Sequence, residues 1–230
     1  MKRSRPEPPA PPPRKRILIV DDHPFMRAGI AQLIDRQAEL CAAGEAGNPA
    51  EALQRLAAGN IDLLLTDMTM PGRSGFEFMK DVHALYPTLP VLVVSMHDET
   101  VYAERALRAG ARGYIMKEAG GEALLAAIRQ ILAGYVYVSP KMSALLLDSF
   151  SGRKARDSKS PFGLLTDREF EIYQLIGKGR NTREIAAQLG LSTKTVDVHR
   201  SNLKSKLGVK DMTALVRHAV HWLETQGGPG

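Results

Sequence analysis

Polar side chains capable of joint chemistry follow directly on four short apolar runs of this sequence. Asp21 and Asp22 come after Ile17-Leu18-Ile19-Val20, Asp67 after Leu63-Leu64-Leu65-Thr66, Ser95 after Val91-Leu92-Val93-Val94, and Lys117 after Gly113-Tyr114-Ile115-Met116. A lone aspartate in such a place serves equally well as a turn or helix cap. Gathered in one crevice, the three carboxylates repel each other and require a cation, and an all-oxygen site suits Mg²⁺ with part of its coordination left to water and phosphate. A lysine and a hydroxyl beside them suit the oxygens of a phosphoryl group held on Asp67.

Whether those groups meet depends on the elements that carry them. The run ending at Asp67 is too short for a helix and has no polar alternation, so it reads as a strand buried on both faces of a parallel sheet, and Met70-Pro71-Gly72 breaks it into a loop. The other strands are expected at residues 17–20, 39–46, 90–94 and 111–116. Between them lie helical spacings: Phe25, Met26, Ile30, Leu33 and Ile34; a helix capped by Asn48 with Pro49 at its first position and closed by Gly59-Asn60; Phe76, Met79, Val82 and Leu85; Val101, Ala106 and Leu107 up to Gly110; and Leu124, Leu125, Ile128 and Leu132. Five strands alternating with five helices predict an α/β domain, a doubly wound, flavodoxin-like, five-stranded parallel sheet. In such a sheet the carboxyl ends of the strands border one ligand crevice.

The acidic pair in Val20-Asp21-Asp22, the stretch TDMTMPGRSG at residues 66–75, the strand end LVVS and the sequence GYIMK resemble the receiver domains of bacterial two-component response regulators over residues 17–134. The resemblance implies that Asp67 takes a phosphoryl group from a sensor histidine kinase. It implies that Asp22, Asp67 and the backbone carbonyl of Thr69 ligate Mg²⁺ directly, while Asp21 acts through water. Lys117 would pair with the phosphoryl oxygens, Ser95 would swing to hydrogen-bond one of them, and Tyr114 would be the aromatic that rotates inward when that hydroxyl moves. An aspartyl-phosphate hydrolase also places a nucleophilic aspartate after a buried strand, but it wants a second carboxylate two residues on, where this chain has Thr69.

Composition divides the chain. Its 230 residues suffice for two ordinary domains, and the net charge of +6 is unevenly spread: residues 17–138 sum to −5 and residues 160–230 to +3. Basic character in the second half points to nucleic acid there. Residues 1–16 are proline-rich and basic and predict a disordered arm; residues 135–160 read as a linker containing Leu145-Leu146-Leu147, a helix able to pack on either domain; residues 226–230 read as a flexible tail. One cysteine, Cys41, excludes an intrachain disulfide, and no apolar run is long enough for a membrane span, so a cytoplasmic protein without membrane partners is expected.

Residues 161–225 read as a small all-α domain of four helices. Thr166 with Glu169, and Asn181 with Glu184, form capping boxes; Gly190 ends the second helix and Ser192 caps the third. Helix, tight turn and helix make a helix-turn-helix, whose second helix enters the DNA major groove. Projected at about 100° per residue, the third helix turns Val196, Leu203 and Leu207 inward and Lys194, Val198, Ser201 and Ser205 outward, with Asn202 beside them. Val198 can pack on a thymine methyl, with Lys194, Ser201 and Asn202 as polar readers, while Thr195, His199, Arg200 and Lys204 belong to the same candidate DNA surface, its basic members best suited to phosphates. Residues 165–209, LTDREFEIYQLIGKGRNTREIAAQLGLSTKTVDVHRSNLKSKLGV, resemble the DNA-binding domain of the LuxR and NarL type. That resemblance implies a homodimer on double-stranded promoter DNA, with the last helix, residues 212–223, at the dimer contact. Asp197 stands where some relatives carry a basic reader. Residues 212–223 also have the apolar pattern of a helix packed within its own domain.

Overall fold

In the computed structural model, which describes residues 13–70, 74–150 and 164–226, the apolar runs pair into one five-stranded parallel sheet ordered β2-β1-β3-β4-β5. The strands are β1 (Lys15–Val20), β2 (Leu40–Ala46), β3 (Leu63–Thr66), β4 (Val91–Ser95) and β5 (Gly113–Met116). The helices between and after them are α1 (Pro24–Asp35), α2 (Pro49–Ala57), α3 (Gly75–Leu85), α4 (Glu99–Arg108) and α5 (Gly120–Leu132). Ile17, Ile19, Leu63, Leu65, Leu92, Val94 and Ile115 form one core with Ile30 and Ile34 of α1 and Leu124, Leu125, Ile128 and Ile131 of α5. Leu18, Val20, Leu64, Val91, Val93 and Tyr114 belong to the other core, with residues of α2, α3 and α4. Successive side chains therefore enter opposite apolar layers, which is why β3 shows no polar alternation.

The register decides which strand ends meet. Val20 pairs with Thr66 across the central β1 and β3, so the next residues, Asp21 and Asp67, leave the sheet side by side. Ser95 pairs with Met116 across β4 and β5, which sets Lys117 one residue beyond.

The chain is ordered beyond both boundaries expected for the α/β domain. Lys15 and Arg16 lie in β1, Arg14 donates to the carbonyls of Asp35 and Gln37, and Lys15 pairs with Asp62 at 3.0 Å. The last three basic residues of the expected arm are thus held by acceptors at the amino-terminal edge of the sheet, while residues 1–12 lie outside the described residues. At the other end, Tyr137 exchanges backbone hydrogen bonds with Arg112 and Tyr114 alongside β5, and α6 (Pro140–Phe150) buries Met142. Ser139 caps that helix by accepting from the Met142 N–H and itself donates to Glu99. The first half of the expected linker is therefore built onto the α/β domain, and its basic second half lies outside the described residues.

The helical domain comprises α7 (Asp167–Gly177), α8 (Thr182–Leu189), α9 (Thr193–Lys206) and α10 (Met212–Gln226). Both capping boxes form, Gly190 closes α8 at φ 64°, and Ser192 accepts from the Thr195 N–H to start α9. Phe170, Tyr173, Ile185, Val196, Leu203, Leu215, Ala219 and Trp222 fill the core. Gln226, expected in the tail, is the last residue of α10, and residues 227–230 lie outside the described residues.

The two domains are docked through α3 and α4 on one side and α7 on the other. Arg105 donates to the Leu165 carbonyl at 2.9 Å, meets Asp167 at 3.3 Å and lies 4.7 Å over the Phe170 ring. Lys80 pairs with Asp167 at 2.7 Å and Arg168 with Glu77 at 3.1 Å. Tyr102 meets Phe170 edge to face, centroids 5.2 Å apart.

Two expectations follow from this packing. A Cβ on Gly177 would lie 2.7 Å from both the Ala219 carbonyl oxygen and a Leu223 methyl, so Gly177→Ala should force α7 and α10 apart and cost about 1–3 kcal/mol in chemical denaturation. Burial at the domain junction pushes the Glu171 carboxyl up to about 7, against the pull of Arg168. The stability that Glu171 contributes as a neutral acid is complete below its ordinary value of 4.5 and is lost as pH rises through about 7. Glu171→Gln should therefore flatten the dependence of melting temperature on pH across that window; an unchanged slope would show that the group titrates normally.

Candidate functional site

Asp21, Asp22, Asp67, Ser95 and Lys117 come together at the carboxyl edge of the sheet, where the strand order reverses around β1 and β3. The Lys117 ammonium is the centre of the group: it donates to Asp67 Oδ2 at 2.6 Å and to Asp21 Oδ2 at 2.7 Å, with all three side chains almost fully buried. Burial alone would push that ammonium down, but the hydrogen bonds to the two carboxylates outweigh it and hold Lys117 above the ordinary lysine range. At Asp67 the balance runs the other way. Burial lifts the carboxyl above the ordinary aspartate value, and Lys117 with the Thr69 N–H returns only part of the loss.

The acidic cluster fits a hard divalent cation. Ligand atoms of Asp21, Asp22, His23 and Asp67 all lie within 4.8 Å of one another. Asp22 Oδ1 is buried and accepts no hydrogen bond, although the His23 ring nitrogen stands 2.9 Å from it. Three carboxylates gathered around one ammonium leave the site short of positive charge. The oxygens of Asp21, Asp22 and Asp67 are thus compatible with Mg²⁺.

The loop after β3 is shaped by two contacts. The Thr69 N–H donates to Asp67 Oδ1 at 3.1 Å, closing a tight turn around the carboxylate. Gly75 then lets the first turn of α3 approach the Met68 carbonyl closer than any side-chain-bearing residue could. Ser95 is wholly buried, and its Oγ accepts from the His97 N–H at 3.2 Å. Tyr114 is buried beneath it, donates to the His97 carbonyl at 2.8 Å, and has its phenol pushed well up by burial, with the Ser95 hydroxyl offsetting part of that shift. The ring expected to rotate inward lies inside in this structure.

Three contacts were not anticipated from the residue pattern. His23 sits on the acidic pair, and its position directly after Asp22 was the available signal. His97 bonds Thr69 Oγ1 through Nε2 at 2.8 Å and stacks on Tyr102 at 4.5 Å, its ring held neutral by burial, which lowers its pKa to about 4. Arg105 reaches the helical domain. Loop and helix-surface positions of this kind carry no sequence periodicity, so only the tertiary contacts identify His97 and Arg105.

On α9 the projected faces form as expected: Val196 and Leu203 are fully buried and Leu207 partly so, while Lys194, Val198, Ser201, Asn202 and Ser205 are exposed. Val198 is 54% exposed, an apolar side chain in a polar row. Thr195, His199, Arg200 and Lys204 are half-buried. Thr195 shares a hydroxyl contact with Ser192, and the Arg200 guanidinium donates to Thr182, which braces α8 against α9 and turns that arginine inward. Lys206 is paired with Glu169 at 2.7 Å. In α10, Leu215, Ala219 and Trp222 are buried within their own domain, whereas Val216 is 36% exposed. Among the described residues no helix is long and apolar enough to cross a membrane.

Comparison with known proteins agrees with this division. Residues 17–129 match the family model of the response regulator receiver domain, and residues 163–219 match that of the bacterial regulatory proteins of the luxR family. The oxygen regulatory protein NreC of Staphylococcus carnosus (strain TM300) is 35% identical over 209 residues, spanning 89% of this chain and 96% of that protein. NreC of Staphylococcus aureus (strain RF122 / ET3-1) is 36% identical with the same coverage. The fold is also that of RcsB from Salmonella enterica serovar Typhimurium, solved bound to promoter rprA in the presence of phosphomimetic BeF₃⁻, with a TM-score of 0.69, 24% identity, and coverage of 90% of this chain and 98% of that one. With a receiver domain joined to a luxR-type helix-turn-helix, and with NreC aligned along nearly its whole length, the chain belongs to the DNA-binding transcriptional response regulators, a family of regulators rather than enzymes.

Proposed function

We propose that Asp67 is the phosphoacceptor of this regulator and that its phosphorylation controls engagement of promoter DNA by α9. The observation that carries the reading is the placement of Lys117 between Asp67 and Asp21, beside the further carboxylate of Asp22. Once a divalent cation offsets the carboxylates, such a crevice would suit a dianion. A phosphoryl group brings about −1.5 to −2 charge and new acceptor oxygens, which Lys117 can meet at once. In the transfer, a carboxylate oxygen of Asp67 forms the new P–O bond as the P–N bond of a kinase phosphohistidine breaks, and the histidine nitrogen leaves with the electron pair.

Asp22, Asp67 and the Thr69 carbonyl, with Asp21 through water, would hold Mg²⁺. Bound there, the ion neutralises the oxygens of the transferring group and shields the carboxylates from one another. Lys117 orients the phosphoryl group, and the Ser95 hydroxyl moves from the His97 N–H to one of its oxygens. Tyr114 then loses the Ser95 hydroxyl as a neighbour and keeps its buried position. The phosphorylated chain binds as a homodimer, with Val216 on the exposed side of α10 available to a second copy. Lys194, Val198, Ser201, Asn202 and Ser205 would face bases, His199 and Lys204 would meet phosphates and Thr195 would sit at the helix entry, while Arg200 would reach a phosphate only by leaving its contact with Thr182. Kinase, promoter and regulator meet in the cytoplasm.

Acetyl phosphate with Mg²⁺ should add the mass of one phosphoryl group to the intact chain. Asp67→Asn should remove that gain, and a chelator should suppress it in the unaltered protein; wild-type labelling of the Asn variant would assign the acceptor elsewhere. On the DNA side, Val198→Ala with Ser201→Ala should weaken selected-site binding by about 1–3 kcal/mol for each base pair no longer read, with much less effect on random duplex. An equal loss on both duplexes in titrations at fixed salt would move the reading face away from these residues.

A further inference from the structure

Asp197 is the single acidic residue of α9, a helix that also carries Lys194, Arg200, Lys204 and Lys206. It is exposed, and it stands three residues after Lys194 and four before Ser201, which makes it a neighbour of both on the helix surface. Two of the four cations are engaged elsewhere, Arg200 with Thr182 and Lys206 with Glu169. A carboxylate on a surface that meets DNA phosphates weakens binding to every duplex unless the duplex offers it a hydrogen-bond donor. The only such donors in the major groove are amino groups of the bases.

The carboxylate is also oriented. The Arg200 guanidinium donates to Thr182 Oγ1 in the first turn of α8, so the one hydrogen of that hydroxyl points away from the arginine, towards Asp197 Oδ1 at 3.5 Å. Among the described residues this is the one side-chain contact of the Asp197 carboxylate, and Oδ2 is left open to a donor. In a helix-turn-helix the first helix crosses the backbone while the amino-terminal residues of the second contact base edges. Asp197, the fifth residue of α9, belongs to the half that reaches the bases.

We propose that Asp197 reads a cytosine in the major groove, its Oδ2 accepting from the exocyclic N4 amino group, a proposal that rests on α9 as the reading helix. Adenine is the other base with an amino group on that edge, but it sets N7, an acceptor, beside its N6. A carboxylate laid against adenine therefore meets one attraction and one repulsion, whereas a carboxamide, with an acceptor and a donor, matches both atoms. Guanine and thymine offer only acceptors there, and the carboxylate repels them. The same charge that accepts from cytosine disfavours duplexes that lack it. Asp197 thus raises the ratio of selected-site to random binding from both sides.

Selection of bound duplexes from a randomised library by the full-length protein, with and without acetyl phosphate and Mg²⁺, tests this directly. The wild type should recover one cytosine per half-site that Asp197→Asn replaces by adenine, with every other selected position unchanged. The Asn side chain keeps an oxygen for Thr182, so a purely structural role of Asp197 would leave the selected sequence as it was. On single duplexes, exchanging that cytosine for thymine should weaken wild-type binding by roughly five- to hundredfold. Asp197→Ala should bind the two duplexes about equally and bind random duplex more tightly than wild type does. Identical selected sequences for wild type and Asp197→Asn would overturn the proposal, as would cytosine discrimination that survives in Asp197→Ala. Failure of the reading beneath it has a different appearance. If α9 does not read bases, Val198→Ala with Ser201→Ala also leaves the selected sequence unaltered; if only the present proposal fails, the selection responds to that pair and is blind to Asp197→Asn.

Discussion

A lysine ammonium held between buried aspartates is the interaction on which the site in this molecule depends. Lys117 satisfies Asp67 and Asp21 at 2.6 and 2.7 Å, and without it the carboxyl edge of the sheet would bring like charges together in a place closed to water. The parallel register of β1 with β3 makes the encounter of Asp21 and Asp67 unavoidable, since Val20 and Thr66 are already paired. The sheet therefore creates an electrostatic problem at its edge, and β5 supplies the lysine that answers it. The three carboxylates of Asp21, Asp22 and Asp67 still outnumber that one ammonium, so the crevice has capacity for further positive charge.

A line of contacts runs from the crevice to the second domain. The loop after β3, Ser95 and Tyr114 all converge on His97, whose ring leads through Tyr102 to Phe170. Around this aromatic line the docked surface is held mainly by charges, with Arg105, Lys80 and Arg168 reaching across to Asp167 and Glu77. Partly exposed ion pairs of this kind contribute modestly to holding two domains together. The α9 surface stands on the side of its own domain opposite Val196 and Leu203, so docking through α7 and reading through α9 use different faces.

The chain also extends the α/β domain further than its apolar pattern indicates. Lys15 and Arg16 enter β1 where Asp62 accepts from the Lys15 ammonium and the Arg16 backbone N–H and the Asn60 carbonyl accepts from the Arg16 guanidinium, and Tyr137 pairs beside β5 through backbone bonds that any residue but proline could make. Such additions depend on acceptors contributed from elsewhere in the fold, and hydropathy alone does not register them.

The sequence by itself determined the order of strands and helices, the doubly wound sheet, the helix caps from Asn48 to Ser192, and the set of groups at the strand ends. These are local matters, decided by apolar periodicity and by side chains that bond their own neighbouring backbone. The inward and outward faces of α9 were legible for the same reason, since helical geometry follows from spacing. Only the tertiary structure decided that Arg200 turns inward to Thr182, that Tyr114 is already buried, that residues 135–150 belong to the α/β domain, and that His97 stands between the crevice and α7. Each of those depends on partners far away in the chain, and a long-range contact leaves no repeat in the sequence from which it could be read.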